Sequence, residues 1–191
     1  MKNCLTTVCV VCIGCAAFAA DSPISKGSVS LGGQMFFQSL TDEAYENWRG
    51  DGLTTITLNP RIGGFVADGL SLGAETEFLW GSRGSYSETL FGIGPRIAYY
   101  FPTRKNRTEI KGSVYPYVAG LATFGSWSCD GGDDDLFIIK FGGELGALLM
   151  FGNSAGADVS LRVKRDVYDV GGHPAFGTNV QFGVGLTAFV L

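Results

Sequence analysis

Hydrophobic and polar residues alternate along most of this sequence with a period of two. In 178–191, Val180, Phe182, Val184 and Leu186 share one parity, and the positions between them carry Asn, Gln, Gly and Thr. Successive side chains of a β-strand point to opposite faces of a sheet, so this spacing predicts a strand with one apolar face.

Similar alternation recurs in segments that are separated by connections rich in Gly, Asp, Asn or Ser. The predicted strands are 27–40, 53–66, 70–80, 88–101, 114–127, 136–151, 158–168 and 178–191. No segment has convincing helical spacing. Long and short connections alternate, as in an up-and-down meander, except that 102–113 is long where a short turn is expected. We therefore expect an all-β chain of eight antiparallel strands.

Composition agrees with strands. Among 191 residues there are 29 Gly and 14 Phe but only three Met, a balance that favours strands and turns over helices. This length suits one domain with a complete closed sheet.

The N-terminal residues 1–20 have the features of a secretory signal peptide: Lys2, an apolar run from Val8 and small residues up to Ala20. That run is too short for a spanning helix, which needs about 20 residues. A lipoprotein leader ending at Cys15 is the alternative. The mature domain is then 21–191, and Cys129 is its only cysteine, so no internal disulfide is possible. Its acidic balance argues against nucleic-acid binding.

Charged side chains fall in the middle of the predicted strands, on the parity opposite to the apolar face. The predicted lumen charge network is Arg61, Glu75, Glu77, Arg96, Lys140, Glu144, Arg162 and Lys164. A soluble sandwich or a lipocalin-like barrel would turn this face to water, whereas a membrane barrel would turn it inward. Parity alone does not separate these classes.

Three further features favour a membrane barrel. Aromatic residues cluster near strand ends on the parity assigned as apolar, as bilayer interfaces select: Trp80, Phe91, Tyr99, Phe101, Tyr115, Tyr117, Trp127, Phe137 and Phe151. Glycines such as Gly146 and Gly183 are frequent on the polar parity, where a narrow lumen needs small residues. The predicted strands also exceed the roughly 9 to 11 residues that cross a bilayer.

The chain therefore resembles the small outer-membrane β-barrels of the OmpA/OmpX-like and opacity-type group, through its leader, its eight alternating segments, its short turns and the segments 99–101 and 115–121. The resemblance implies an eight-stranded transmembrane β-barrel with a polar, side-chain-filled lumen in the bacterial outer membrane. It also implies lipid and lipopolysaccharide around the barrel and delivery by the barrel-insertion machinery. Such chains usually end in a lipid-facing aromatic residue. Here Leu191 is last and Phe189 has the lumen parity, so either the strand ends at Val190 or a bulge shifts its register.

Salt-bridged ladders are expected to fill the lumen, because an unpaired charge there would cost several kcal/mol. A narrow ion-conducting pore is the alternative use of the same charges. A lipid-modifying enzyme would need His173, the only histidine, together with a loop serine such as Ser82, Ser85 or Ser128. No recognisable motif joins them.

Two charged ends complete the candidates. Residues 129–135 contain Cys129 and a run of aspartates. Such a run could bind Ca²⁺, but its spacing does not match the EF-hand pattern of ligands. With Asp42, Glu43, Glu46 and Asp51 they make the long-loop end acidic, where divalent cations would bridge to lipopolysaccharide. The basic cluster in the connection 102–113 comprises Arg104, Lys105, Arg107 and Lys111. We expect a monomeric, non-enzymatic protein with a structural or surface-interaction role, no cofactor, no bound metal and no identified ligand.

Overall fold

Eight antiparallel strands close into one barrel in the computed structural model, which describes residues 22–40, 53–83, 86–102, 110–129, 136–170 and 173–190. The strands are β1 (Val29–Leu40), β2 (Leu53–Ala67), β3 (Leu70–Arg83), β4 (Tyr86–Tyr100), β5 (Val114–Cys129), β6 (Leu136–Met150), β7 (Ala155–Val170) and β8 (His173–Val190). The predicted fold class is confirmed.

Each strand pairs with its sequence neighbours, and β8 returns to pair with β1. That last pairing runs from Val29 opposite Val190 to Phe36 opposite Gly183. A closed sheet leaves no row of unpaired backbone groups, which a bilayer would not tolerate. Among the described residues, no helix has the length and hydropathy to cross a membrane.

The second and fourth connections on the loop side are shorter than predicted, and in the second, β3 continues to Arg83 and β4 begins at Tyr86. The loop predicted at 169–177 is mostly strand, because Val170 already pairs with His173 and only 171–172 lie between β7 and β8. Pairing with β7 adds residues 173–177 to the start of β8, although these residues show little apolar alternation of their own. By contrast, the long connection predicted between the fourth and fifth strands is present, since β4 ends at Tyr100 and β5 begins at Val114.

The two ends of the barrel are named here by their connections. The loop end carries 41–52, 84–85, 130–135 and 171–172, and the turn end carries 68–69, 101–113 and 151–154. Residues 22–28 cross the turn end: the Gly69 amide donates to the Ile24 carbonyl at 2.8 Å, and the Gly27 amide donates to the Phe65 carbonyl at 2.9 Å. Gly69 has φ +78°, a left-handed conformation that suits glycine in this tight turn.

The apolar parity of seven strands faces outward as predicted, with exposed residues such as Leu31, Ile56, Ile97, Leu145 and Leu186. β5 is the exception, and its predicted parity was wrong. Both of its faces are largely apolar, so hydropathy could not orient it. In the barrel its outward positions are Val114, Pro116, Val118, Gly120, Ala122 and Phe124, whereas Tyr115, Tyr117, Ala119 and Leu121 are buried.

The C-terminal strand has no bulge near its end. β8 pairs with β1 and β7 without a register shift, and it extends to Val190. Phe189 points inward, and its ring centroid lies 6.3 Å from that of Phe65. The lumen parity of Phe189 is therefore explained by packing inside the turn end.

Candidate functional site: the filled lumen

Charged residues fill the barrel while aliphatic and aromatic side chains cover its outside. A water-soluble sandwich or a lipocalin-like barrel would have the opposite arrangement, so these two interpretations are wrong. The structure places all eight residues of the predicted charge network inside, each less than a tenth exposed: Arg61, Glu75, Glu77, Arg96, Lys140, Glu144, Arg162 and Lys164. An eight-stranded barrel has an interior just wide enough for side chains to fill it.

Arg162 is the centre of the network. It is fully buried, and its guanidinium contacts both Glu75, at 2.6 Å from Nη1 to Oε1, and Glu144, at 2.5 Å from Nη2 to Oε2. Its Nη2 also donates to the Gln34 amide oxygen at 3.1 Å. The guanidinium lies over the Phe36 ring, 4.6 Å from the centroid. One arginine thus joins side chains from β1, β3 and β6 across the lumen.

Two further arginines, Arg96 and Arg61, also contact Glu144. Arg96 Nη2 lies 3.2 Å from Glu144 Oε1, and Arg96 Nε lies 3.7 Å from Glu75 Oε2. Arg61 forms an ion pair with Asp158, and its Nη1 lies 3.7 Å from Glu144 Oε1. Register brings them together, since Arg61 is opposite Glu75 on neighbouring strands and Glu144 is opposite Arg162.

Neutral polar groups complete this layer. The Tyr117 hydroxyl lies 2.5 Å from Glu144 Oε1 and 2.7 Å from Asp158 Oδ1, within reach to donate to either carboxylate. Gln34 Nε2 donates to Asp158 Oδ1 at 2.6 Å, and Asn59 Nδ2 donates to Glu75 Oε1 at 3.1 Å. We call this set the charged layer: Gln34, Asn59, Arg61, Glu75, Arg96, Tyr117, Glu144, Asp158 and Arg162. Its three arginines and three carboxylates balance.

A second layer lies nearer the loop end. Lys140 Nζ contacts Glu77 Oε1 at 3.0 Å, and Lys164 Nζ contacts the other carboxylate oxygen at 2.8 Å. Asp166 lies opposite Lys140 in the β6–β7 register, so its carboxylate adds a second negative charge near the two lysines. Two cations bound to one carboxylate hold three strands, β3, β6 and β7, at this height.

An apolar cluster closes the turn end. We call it the apolar plug: Ile24, Phe65, Ala98, Tyr100, Tyr115, Tyr117, Ala119, Leu148, Met150 and Phe189. The Tyr100 ring centroid lies 5.6 Å from that of Phe65 and 5.0 Å from that of Tyr117. Tyr117 belongs to both sets, with its ring in the apolar plug and its hydroxyl in the charged layer.

Sequence reasoning missed four members of the charged layer: Gln34, Asn59, Tyr117 and Asp158. Asp158 shares the parity of Arg162 and Lys164, but it is the first residue of the predicted strand 158–168 and is absent from the predicted charge network. Gln34 and Asn59 lie on the polar parity of their strands, but they are uncharged and so are absent from the predicted charge network. Tyr117 was assigned to lipid. A parity rule applied from Ala155, where β7 begins, would have found Asp158.

Three predicted members of the membrane-interface girdle, Tyr115, Tyr117 and Trp127, have the inward parity, so their assignment to the lipid face is wrong. Tyr115 is 1% exposed and Tyr117 is 2% exposed, both inside the barrel. Trp127 shares their inward parity and is partly buried. The physical reason is that these rings fill the lumen, where Tyr117 also supplies a donor to two carboxylates. The other predicted girdle residues are exposed: Trp80, Phe91, Tyr99, Phe101, Phe137 and Phe151.

The remaining candidate residues lie at the loop end or outside the residues that the structure describes. Ser82 and Ser128 are exposed, and the backbone of His173 begins β8. The leader 1–20, the acidic segment 41–52, Ser85, 130–135 and the basic residues Arg104, Lys105 and Arg107 lie outside the described residues. In the described part, no group of three or more His, Cys, Asp or Glu side chains is arranged to hold a metal ion.

Two solved structures are among the proteins similar to this chain. Neisserial surface protein A matches with a TM-score of 0.58 at 14% identity, over 85% of this chain and 97% of that chain. Outer membrane protein OprG from Pseudomonas aeruginosa matches with a TM-score of 0.49 at 12% identity, over 88% and 98% of the two chains. No protein-family model and no curated protein matches the sequence.

The first of these likenesses shows the fold, that of a small outer-membrane β-barrel. Two observations of this chain point the same way: the sheet is closed, and its outer face is apolar over a charged interior. The chain therefore has the fold of a small outer-membrane β-barrel, with an outer face that suits a lipid bilayer.

Proposed function

We propose that this protein is a non-enzymatic, monomeric structural barrel whose lumen conducts neither ions nor solutes, and whose loop-end connections carry any surface interaction. The observation that carries the proposal is the position of Arg162, fully buried between Glu75 and Glu144 in the middle of the barrel. Its ion pairs occupy the path that an ion would have to take.

The apolar plug supports the same conclusion at the turn end. Phe65, Tyr100, Met150 and Phe189 project inward there, and Ile24 is added from the crossing segment 22–28. An ion that passed the charged layer would then have to cross apolar side chains, where the desolvation of a charge costs several kcal/mol. Two barriers of opposite chemistry thus lie in series.

Conductance in planar bilayers tests this proposal. We expect no single-channel events from the wild-type barrel, and none from Glu144→Ala, because the apolar plug remains when the charged layer is disturbed. The matched variant Leu145→Ala changes the adjacent outward position. Steps of ion-selective current in the wild type, changed by Glu144→Ala but not by Leu145→Ala, would establish the pore instead.

The absence of catalysis is a separate part of the proposal. The described ionisable groups of the lumen are engaged with one another rather than presented to a substrate. Incubation with phospholipid and lipopolysaccharide, followed by mass spectrometry, should show neither hydrolysis nor acyl transfer. Lipid modification by the wild type that is lost in His173→Ala would contradict it.

Lipopolysaccharide and the barrel-insertion machinery are the proposed partners in the envelope. An exposed apolar outer surface supports a lipid environment, and delivery of such a surface through an aqueous compartment needs assistance. Purification from outer membranes as a heat-modifiable monomer is the expected behaviour. Thermal stability in lipopolysaccharide that is insensitive to EDTA would remove the cation-bridging component.

A further inference from the structure

Three of the outward hydroxyl groups near the loop end lie together on β4 and β5. Thr89 on β4 and Ser126 and Ser128 on β5 point outward and are exposed. They line a groove on the barrel wall whose other lining residues include Phe78, Trp80 and Phe91. The groove therefore combines a small polar floor with large aromatic neighbours.

Strand register makes one wall of the groove continuous. Trp80 is opposite Thr89, and Thr89 is opposite Ser128. In the next outward row, Phe78 is opposite Phe91, and Phe91 is opposite Ser126. In both rows the aromatic residues come first and the hydroxyl residues last, going from β3 to β5. The aromatic rings therefore lie along one side of the hydroxyl floor.

The rings of that wall pack against each other and leave the floor open. The centroids of Phe78 and Phe91 are 5.0 Å apart, and Trp80 is 71% exposed. On the far side of the floor, Ser126 is opposite Phe137, which is 62% exposed. Serine between two large aromatic residues produces a depression rather than a flat surface.

The hydroxyls need a polar partner that the described chain does not provide. No hydrogen bond from the side chains of Thr89, Ser126 or Ser128 reaches another described residue. A hydroxyl that faces hydrocarbon without a hydrogen bond is unfavourable. A ligand that matches this groove has an apolar chain for the rings and a hydrogen-bonding acceptor for the hydroxyls.

We propose that this groove binds one lipid molecule of the loop-end leaflet, with an acyl chain along Phe78 and Phe91 and its ester carbonyl at Ser126 and Ser128. Continuity with the lipid-facing surface identifies the occupant. Directly toward the bilayer centre, the next outward row carries the exposed residues Ile93 and Phe124. An acyl chain therefore enters the groove without leaving the bilayer.

The proposal rests on the membrane placement of the barrel but not on its sealed lumen, so a conducting barrel would leave it intact. The test uses the full mature barrel in phosphatidylcholine vesicles that contain a minor fraction of phosphatidylethanolamine with a diazirine on one acyl chain. After illumination, peptides are mapped by mass spectrometry. We expect adducts concentrated on β4 and β5 around Phe91 and Ser126.

Two double variants separate shape from hydrogen bonding. Ser126→Leu with Ser128→Leu fills the floor and removes both hydroxyls, and labelling there should fall about tenfold, the change that about 1.4 kcal/mol of binding free energy produces. Ser126→Ala with Ser128→Ala keeps the groove open and should lose part of the labelling. Ala147→Leu, an outward small-to-large change on β6 outside the groove, is the control and should label as the wild type does.

Two results would overturn the proposal: labelling spread evenly around the wild-type barrel, or wild-type labelling in the double alanine variant. Folding of each variant is verified by heat-modifiable migration in SDS gels, so that a loss of labelling reports on the groove and not on a loss of the barrel.

Discussion

The charged layer and the apolar plug occupy the same lumen, on the same strands, but by different chemistry. In the charged layer, Arg162 and its partners depend on one another, because each buried charge is compensated by a specific neighbour. In the apolar plug, Phe65 and Phe189 contribute mainly by filling volume. Removing one ion-pair member leaves an uncompensated charge, whereas removing one ring leaves a cavity.

Arg162→Met has the largest expected effect, because it leaves Glu75 and Glu144 without their principal partner. Breaking a buried ion pair by removal of one member costs about 3 to 5 kcal/mol, and here two carboxylates lose it. Urea unfolding in lipid vesicles, followed by tryptophan fluorescence, measures the change.

Arg165→Met is the matched control, three residues along the same strand. Arg165 is exposed and donates to the Thr178 hydroxyl at 2.8 Å. An exposed contact of this kind contributes on the order of 1 kcal/mol or less. Equal losses for the two variants would mean that the charged layer is no more cooperative than the outer surface.

Phe189→Ala tests the apolar plug. The loss of a buried phenylalanine should cost about 3 kcal/mol through lost burial and a residual cavity. Phe182→Ala, on the same strand but 61% exposed on the outer face, should cost clearly less in vesicles. If Phe182→Ala were the more destabilising of the two, packing inside the turn end would not explain the inward parity of the C-terminal aromatic residue.

Tyr117→Phe addresses the residue that the two regions share. The ring stays in the apolar plug, but the charged layer loses a donor that lies within 2.7 Å of both Glu144 and Asp158. We expect a loss of about 1 to 3 kcal/mol, the cost of leaving a buried polar group short of a partner. The control Tyr99→Phe removes an outward hydroxyl from a partly exposed ring. A similar, small effect of both changes would place Tyr117 in the apolar plug alone.

The difference between the two regions also explains which features the sequence predicted. The charged layer was largely predictable. Arg61, Glu144 and Arg162 are charged residues in mid-strand on the parity opposite to the apolar face, and so they identify the inward parity. The apolar plug was not, since Tyr115 and Tyr117 sit on a strand whose two faces are both apolar. Hydropathy distinguishes lipid from a polar lumen, but it does not distinguish lipid from an apolar lumen.

Long-range contacts account for the rest of what was missed. The burial of Ile24 depends on the crossing segment 22–28 meeting β2 and the turn at Gly69. Closure of the turn end by this segment has no periodic signal in the sequence. Similarly, β8 begins at His173 because β7 pairs with it, and not because 173–177 alternate.

Gly146→Ala has the smallest expected effect and sharpens the boundary between the two regions. A Cβ at Gly146 would lie 2.4 Å from the Tyr117 ring, so the ring or the strand must shift. Such overpacking typically costs about 1 to 3 kcal/mol, and we expect the lower half of that range because only one side chain must move. Gly143→Ala on the outer face of the same strand is the control, because a Cβ at Gly143 would lie 3.7 Å from its nearest neighbour, the Ala119 carbonyl oxygen.

The clash at Gly146 is with the Tyr117 ring. Gly146→Ala should therefore cost less in a Tyr117→Ala background than in the wild type, and a double-mutant cycle measures that coupling. Additive losses would show that the cost of Gly146→Ala arises within its own strand and not from contact with the Tyr117 ring.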